Sequence, residues 1–182
     1  MSDARASLLV TGGARSGKSR YALERAMALP PPRLFIATAE ARDAEMVLRI
    51  GGHRAERGDA FATVEEPRAV AAALARGAPA SGVVVIDCVT LWIANLSASA
   101  TSPGDVESAI DALAAAIGTS ACPVVVVTNE VGSGIIPFVE ETRRFRDLLG
   151  LANQRVAAAV HSVVLMVAGL PLVVKPAARD AR

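Results

Sequence analysis

The chain has 182 residues, of which 52% are apolar and 20% charged, which suits one folded domain and excludes a disordered chain. Its 19 basic and 18 acidic residues leave a net charge of +1, which argues against a nucleic-acid coat protein or a polybasic membrane anchor. No apolar run approaches the about 20 residues of a membrane span. Cys88 and Cys122 predict reduced core thiols. We expect one cytoplasmic domain over residues 1–182, frayed at 1–6 and 176–182.

Short aliphatic runs alternate with amphipathic segments along the chain. Strand-like runs occupy residues 7–11, 34–38, 83–87, 124–128 and 163–167, with a weaker run at 61–64 and a last one at 172–175. Helical patterns occupy residues 18–29, 43–57, 67–76, 106–117 and 138–159. Continuous β-branched runs are typical of strands buried on both faces of a parallel sheet. We therefore predict an α/β fold with a mostly parallel central sheet flanked by helices.

The C-terminal part of the chain interrupts this alternation. Only Gly169, Leu170 and Pro171 separate the last two predicted strands, and antiparallel neighbours are the ones that such a short link can join. We therefore predict a closing β-hairpin near the C-terminus and a mixed sheet. Loops are predicted at residues 77–82 and 97–104, because both segments are rich in Gly, Pro, Ser or Ala.

Residues 12–19, GGARSGKS, match the pattern G-x-x-x-x-G-K-[ST] between a predicted strand and a predicted helix. Glycines let the backbone N–H groups turn inward around an anion, and the helix N-terminus adds partial positive charge. Lys18 is expected to reach the β- and γ-phosphates, and the Ser19 hydroxyl to bind Mg²⁺. A glycine turn with a chance Lys-Ser pair is the alternative. We predict a nucleoside triphosphate site formed by Gly12, Gly13, Ala14, Arg15, Ser16, Gly17, Lys18 and Ser19.

Polar residues follow two of the predicted buried strands. Asp87 ends the run VVVID, and a carboxylate there is expected to hold Mg²⁺ beside the phosphate loop; the alternative is a residue that starts a turn or caps the next helix. Asn129 and Glu130 follow the run VVVV and are expected in the ligand crevice at the same edge of the sheet. Glu130 could orient a substrate hydroxyl or act as a base. The alternative for this pair is a polar turn that satisfies backbone groups.

The chain has two histidines, His53 and His161. His161 follows a long helical pattern and is interpreted as a C-terminal helix residue favoured by the helix dipole. His53 is spaced four residues from Arg49 and from Arg57, so a helix would place all three on one face. Neighbouring guanidiniums favour a neutral, nucleophilic imidazole, although from spacing alone a solvated basic face is the better-supported interpretation. The glycines at 51–52 weaken a helix, so a break or hinge is expected just before His53.

Together these motifs resemble the bifunctional adenosylcobinamide kinase / adenosylcobinamide-phosphate guanylyltransferase family of cobalamin biosynthesis. The matching segments lie in order at residues 8–23, 35–58, 63–67, 83–96, 127–137 and 145–159. The resemblance implies a RecA-like P-loop NTPase fold, a homotrimer with sites near subunit contacts, and a corrinoid substrate. Neither nucleic acid nor a membrane is expected as a partner.

The resemblance also implies a two-step reaction that uses ATP or GTP with Mg²⁺. Adenosylcobinamide is first phosphorylated; a histidine then attacks the α-phosphorus of GTP, and the GMP–histidine intermediate passes GMP to adenosylcobinamide phosphate. The family's histidine falls on His53. Its nucleotide contacts fall on residues 12–19, Ala37, Thr38, Ala39, Arg54, Ala55, Glu56, Arg57, Glu65 and Asp87. We further predict that the helix carrying His53 moves when nucleotide binds.

Two other functions remain compatible with the residues alone. A single-activity P-loop kinase for a small molecule needs no histidine nucleophile. A nucleotide-dependent switch or assembly module is disfavoured, because the chain lacks a guanine-reading N-K-x-D motif. Labelling of the protein by the α-phosphate of GTP separates the two-step enzyme from the plain kinase.

Overall fold

The structure is a computed structural model that describes residues 6–41, 43–99 and 102–177. The strands in these ranges are β1 (Leu8–Gly12), β2 (Arg33–Ala37), β3 (Ala62–Glu65), β4 (Val83–Asp87), β5 (Val124–Val127), β6 (Ser162–Val167) and β7 (Leu170–Lys175). The helices are α1 (Lys18–Met27), α2 (Ala44–Arg57), α3 (Val70–Gly77), α4 (Val89–Ser99), α5 (Pro103–Gly118) and α6 (Glu140–Ala159). Short 3₁₀ turns occupy Gly58–Ala60 and Ala78–Ala80.

All these strands form one sheet in the order β3-β2-β4-β5-β1-β6-β7. Every neighbouring pair is parallel except β6 and β7, which are antiparallel. The prediction of a mostly parallel α/β sheet with a closing hairpin is therefore confirmed. The carboxyl ends of β3, β2, β4, β5 and β1 lie side by side at one edge, where ligands bind in folds of this kind.

Aliphatic side chains alternate between the two faces of the central strands and form two cores. Leu9, Ile86 and Val126 face a core built with α3, α4, α5 and α6. Val10 and Val85 face a second core, to which α1 contributes. Burial of the central strands on both faces explains their unbroken β-branched runs. None of the helices in the described ranges combines the length and the apolar character that crossing a bilayer demands.

Two predicted boundaries in the chain are wrong. The last hairpin turns at Ala168 and Gly169, with φ of 52° and 83°, so Leu170 and Pro171 belong to β7 rather than to the turn. The predicted loop at 97–104 is largely helical, because α4 extends to Ser99 and α5 begins at Pro103. Helix α4 appears only in the alternative given for Asp87 and not among the predicted helical patterns, because its mostly apolar sequence VTLWIANLSAS shows little amphipathic period.

The interpretation of His161 also requires correction. Helix α6 ends at Ala159, and His161 Nδ1 accepts a hydrogen bond from the Ser7 N–H at 3.1 Å. This bond to the segment before β1, rather than the C-terminus of α6, is the contact that holds the ring. His161 therefore joins the start of β1 to the start of β6.

Candidate active site

The phosphate loop connects β1 to α1, with Gly12 at the end of the strand and Lys18 at the start of the helix. Arg15 and Gly17 have left-handed backbones, with φ of 54° and 92°, and residues of this kind curl a loop into an anion-binding concavity. A Cβ on Gly12 would lie 2.5 Å from the Met166 carbonyl oxygen, so the close approach of β6 requires glycine there. The loop has the curvature that its motif predicts.

The Lys18 side chain lies against the phosphate loop. Lys18 is only 9% exposed, and its Nζ donates a hydrogen bond to the Gly13 carbonyl oxygen at 2.6 Å. An ammonium binds phosphate oxygens more strongly than a neutral carbonyl, because both partners then carry charge. The Lys18 ammonium is thus held at the phosphate loop, and its contact with a phosphate stays a prediction.

The strand ends border a cleft of about 230 Å³ at the carboxyl edge of the sheet. The predicted site residues that line it are Ser19, Ala37, Ala39, Arg54, Glu65, Asp87 and Asn129. They come from distant parts of the chain, and the parallel strand order brings them to one edge. This convergence is the principal observation about the site.

One wall of the cleft is apolar and was not predicted. Met46 and Ile50 of α2 and Leu91 of α4 line the same cleft as the polar residues. Periodic apolar residues in a helix normally indicate contact with the core, so the sequence alone does not distinguish them from core residues. A cleft with an apolar wall and a few convergent polar groups suits a ligand with a flat apolar part and a charged part.

Helix α2 carries His53 beside this cleft. The Asp43 carboxylate caps its N-terminus by accepting a hydrogen bond from the Met46 N–H at 2.7 Å. The helix continues through the glycines at 51–52 to Arg57, so the expected break before His53 is wrong.

Several predicted side chains of α2 lie outside the described part of the structure. These are Arg49, His53, Ala55, Glu56 and Arg57, and their predicted roles therefore remain predictions. Ile50 and Arg54, which flank His53 in the sequence, both line the cleft. The helical segment that contains His53 is thus part of the cleft wall.

Thr38 was expected as a nucleotide contact, but its hydroxyl has structural partners. Thr38 is fully buried, and its Oγ1 donates to the Cys88 carbonyl oxygen and accepts from the Cys88 N–H, both at 2.8 Å. These bonds join the segments that follow β2 and β4. Only its neighbours Ala37 and Ala39 line the cleft.

Asn129 and Glu130, expected together, separate in the structure. Asn129 lines the cleft. The Oε1 atom of Glu130 accepts hydrogen bonds from the N–H groups of Gly132 and Ser133, the latter at 3.0 Å. These are the contacts that the alternative interpretation predicts for Glu130, a side chain that satisfies the backbone of a turn; its role as a base stays a prediction.

Asn95 holds two segments that carry cleft residues, and it was not identified from the sequence. It is 4% exposed, and its Nδ2 donates to the carbonyl oxygens of Thr38 at 2.7 Å and Pro67 at 3.2 Å. It thereby joins the segments after β2 and β3, which carry cleft residues. An amide within an otherwise apolar helix was the available signal, because a buried polar group needs hydrogen-bond partners.

Cys88 also lines the cleft. Burial raises the pKa of its thiol above the usual value, and the adjacent Asp87 charge raises it further. The thiol is therefore protonated at neutral pH and is a poor nucleophile. Both cysteines are free, as predicted, and burial also raises the pKa of Cys122.

The residues present fit a magnesium ion that is shared with a substrate phosphate. Ser19 and Asp87, which carry a hydroxyl and a carboxylate, line the same cleft. Within the described ranges there is no cluster of three or more His, Cys, Asp or Glu side chains that could enclose a metal. Mg²⁺ commonly uses one or two protein ligands together with phosphate oxygens, and this pair meets that requirement.

Comparison of the sequence with known families agrees with these features. The model of the family described as cobinamide kinase / cobinamide phosphate guanyltransferase matches residues 8–174. The bifunctional adenosylcobalamin biosynthesis protein CobP of Pseudomonas aeruginosa is 40% identical over 167 residues, which cover 92% of this chain and 96% of that protein. The protein CobU of Escherichia coli, with the same description, is 39% identical over 180 residues and is 99% covered.

Comparison with solved structures supports the fold. The flagellar accessory protein FlaH of Methanocaldococcus jannaschii superposes with a TM-score of 0.51 at 10% identity, covering 94% of this chain and 78% of that one. A type III secretion ATPase also gives a TM-score of 0.51 at 10% identity, covering 88% of this chain and 50% of that one. Together with the phosphate loop, these similarities identify a RecA-like P-loop NTPase fold.

Proposed function

This chain belongs to the cobinamide kinase / cobinamide phosphate guanyltransferase family, and from that premise we propose that it catalyses both reactions. It phosphorylates adenosylcobinamide with ATP or GTP, and it then transfers GMP from GTP to adenosylcobinamide phosphate. The observation that carries the proposal is the convergence of Ser19, Asp87 and Asn129 with Arg54 and Glu65 in one cleft. Such a cleft presents groups for a triphosphate on a RecA-like fold.

In the kinase reaction, the phosphate loop and Lys18 bind the β- and γ-phosphates of the nucleotide. Ser19 and Asp87 hold Mg²⁺, which when bound neutralises charge on the phosphate oxygens. Asn129, which lines the same cleft, orients the aminopropanol hydroxyl by a hydrogen bond. That oxygen attacks the γ-phosphorus, the bond from the γ-phosphorus to the bridging oxygen breaks, the nucleoside diphosphate leaves, and the hydroxyl proton is released to solvent.

In the transferase reaction, we propose His53 as the nucleophile. Its neutral ring nitrogen attacks the α-phosphorus of GTP, the α–β phosphoanhydride bond breaks, and diphosphate leaves. A phosphate oxygen of adenosylcobinamide phosphate then attacks the same phosphorus and breaks the P–N bond. The products are adenosylcobinamide-GDP and regenerated His53. Arg54 and Arg57 neutralise developing charge on the phosphates.

We also propose that α2 shifts when nucleotide binds. Gly51 and Gly52 are exposed, and a Cβ on either would meet no atom within 4 Å, so packing does not account for these glycines. Each glycine lowers helix stability by about 1 kcal/mol relative to alanine. This turn of α2 can therefore change its backbone conformation at a small cost in free energy. Identical placement of His53 in crystals with and without GTP would contradict the shift.

A homotrimer in the cytoplasm is the proposed state of the protein. Leu170, Leu172 and Val174 on one face of β7 and Val173 on the other are 56–71% exposed. An edge strand that is apolar on both faces suits contact with another subunit. Sedimentation equilibrium tests this: the wild type should have three times the chain mass, and the double substitution of Leu172 and Val174 by Glu should dissociate it. The cytoplasmic assignment rests on the nucleotide substrates and the free thiols.

The two activities are tested with GTP labelled at the α-phosphate. We expect acid-labile label on the wild-type protein, and its loss in His53→Asn. The matched control is His161→Asn, because His161 is the other histidine and Asn can still accept the hydrogen bond from Ser7. Label that persists in His53→Asn would refute His53 as the nucleophile. Phosphorylation of adenosylcobinamide without any protein label would identify a single-activity kinase.

A further inference from the structure

Asn153, in the middle of α6, contacts the segment that follows β5. The Thr128 hydroxyl donates a hydrogen bond to Asn153 Oδ1 at 2.7 Å, and Asn153 Nδ2 donates to the Asn129 carbonyl oxygen at 3.0 Å. Thr128 is fully buried. One amide side chain therefore serves as acceptor and donor to two consecutive residues, which neither a carboxylate nor an aliphatic side chain can do.

The backbone of Asn129 is held from its other side as well. Its N–H donates to Thr90 Oγ1 of α4 at 2.9 Å. The preceding N–H, of Thr128, donates to the Val10 carbonyl at 3.0 Å, and the following one, of Glu130, donates to the Gly12 carbonyl at 3.1 Å. Side chains of α4 and α6 and backbone carbonyls of β1 therefore hold the peptide groups on both sides of Asn129. Asn129 itself lines the cleft.

The orientation of the Asn129 peptide matters because Asn129 lies at the proposed catalytic cleft. Strand β5 lies between β1 and β4, so Asn129 follows a strand flanked by the strand of the phosphate loop and the strand of Asp87. Ser19, Asp87 and Asn129 line one cleft. A displacement of about 1 Å in a group that orients a substrate can reduce the rate of the reaction about 100-fold.

We infer that Asn153 is a positioning residue for phosphoryl transfer and that it acts through Asn129. The inference rests on the proposed kinase function and extends it to a residue of α6. Asn153 holds the Asn129 peptide, and Asn129 orients the substrate hydroxyl. Loss of the Asn153 amide should therefore affect the chemical step more than nucleotide binding.

The test is a double-mutant cycle on the intact protein with Asn153→Asp and Asn129→Ala. Asp keeps the acceptor for Thr128 but replaces the donor to Asn129 by an oxygen. We expect Asn153→Asp to lower kcat for adenosylcobinamide phosphorylation about 10- to 100-fold, with the dissociation constant of a fluorescent GTP analogue changed less than about twofold. In the Asn129→Ala background the same change should have little further effect, because coupled residues are not additive.

Asn95→Asp is the matched control. This substitution also removes an amide donor from a helix, in this case the donor to the carbonyl oxygens of Thr38 and Pro67. These carbonyls lie in the segments that follow β2 and β3. Its effect should add to that of Asn129→Ala rather than disappear. Thr128→Val provides a second variant, because it deletes only the hydroxyl that donates to Asn153 and should show the same coupling if Asn153→Asp does not fold.

Each outcome decides the inference. Additive effects of Asn153→Asp and Asn129→Ala, an unchanged kcat, or equal losses in kcat, nucleotide affinity and Tm would overturn the positioning role. A wild-type protein that does not phosphorylate adenosylcobinamide would refute the proposed kinase function and, with it, this inference. Coupled losses confined to kcat would establish the role.

Discussion

The chain contains two lysines, and they use the same chemistry in two different regions. Lys18 Nζ donates to the Gly13 carbonyl within the phosphate loop. Lys175 Nζ, on β7, donates to the carbonyls of Ala157 at 2.9 Å and Val160 at 2.6 Å, at the C-terminal end of α6. Helix ends leave carbonyls without helical partners and carry partial negative charge, so the second lysine completes the fold. The first lysine instead lies where a ligand can compete for it.

Replacement of Lys18 should separate the two regions most clearly. We expect Lys18→Met to lower kcat/KM for adenosylcobinamide phosphorylation at least about 100-fold, because one charged donor to the transferred phosphate is lost. The free energy of unfolding should change by less than about 1 kcal/mol, because Lys18 is 9% exposed and the loss of its hydrogen bond is offset when a buried ammonium no longer has to be desolvated. Steady-state kinetics and thermal unfolding measure the two quantities. A large stability loss with retained activity would reverse the assignment of the two lysines.

Gly12 lies between the region of Lys18 and the region of Lys175. It begins the phosphate loop, and it pairs with Met166 of β6, the strand next to β7. We expect Gly12→Ala to destabilise the protein by about 3 kcal/mol, since the added Cβ would overlap the Met166 carbonyl oxygen and the residue has φ of 149°. Urea denaturation measures the loss. Gly13→Ala is the control, because a Cβ there would meet no atom within 4 Å. Equal stability of the two variants would contradict the close approach of β6.

Replacement of Lys175 should affect stability alone. We expect Lys175→Met to cost about 1–3 kcal/mol of unfolding free energy, because partly buried helix-end carbonyls lose a charged donor. Adenosylcobinamide phosphorylation measured well below Tm should stay within about twofold of wild type, in contrast to Lys18→Met. Lys175→Arg, which retains the charge, should recover part of the stability. A Lys175→Met protein with wild-type Tm would show that these hydrogen bonds contribute nothing.

The smallest expected effect concerns the thiol of Cys88 in a Cys122→Ala background. Its raised pKa keeps the thiolate fraction low, so alkylation by iodoacetamide should be slower than that of free cysteine. The rate should still rise at pH values where the rate for free cysteine has levelled off. Asp87→Asn removes one cause of the raised pKa and should accelerate alkylation. Mg²⁺ and GTP should slow it by filling the cleft. A rate equal to that of free cysteine would contradict the buried environment.

Much of this fold could be predicted because the signals are local. Runs such as β4 and β5 are apolar throughout, since both faces of the sheet are covered. The phosphate loop motif requires its own flanking strand and helix, and the parallel order then places Asp87 and Asn129 at the same edge. These residues were identifiable because Asp87 ends a strand and Asn129 lies two residues after one.

The remaining features depend on contacts that no local pattern encodes. Helix α4 is apolar nearly all round, so periodicity does not reveal it. The hairpin turns at Ala168, although alanine rarely adopts its φ of 52°. The hydroxyl of Thr38 and the amide of Asn153 bond to segments 50 and 24 or 25 residues away. Only the assembled sheet shows which backbone groups and side chains these two residues hold.

One hydrogen bond connects the turn of the hairpin to the phosphate loop: the Gly169 N–H donates to the Ser16 carbonyl at 3.1 Å. Its consequence is thermodynamic reciprocity. If nucleotide binding at the phosphate loop changes the association constant of another subunit at the hairpin, that association must change the nucleotide binding constant by the same factor. A titration of nucleotide affinity against protein concentration therefore measures how strongly assembly and ligand binding communicate.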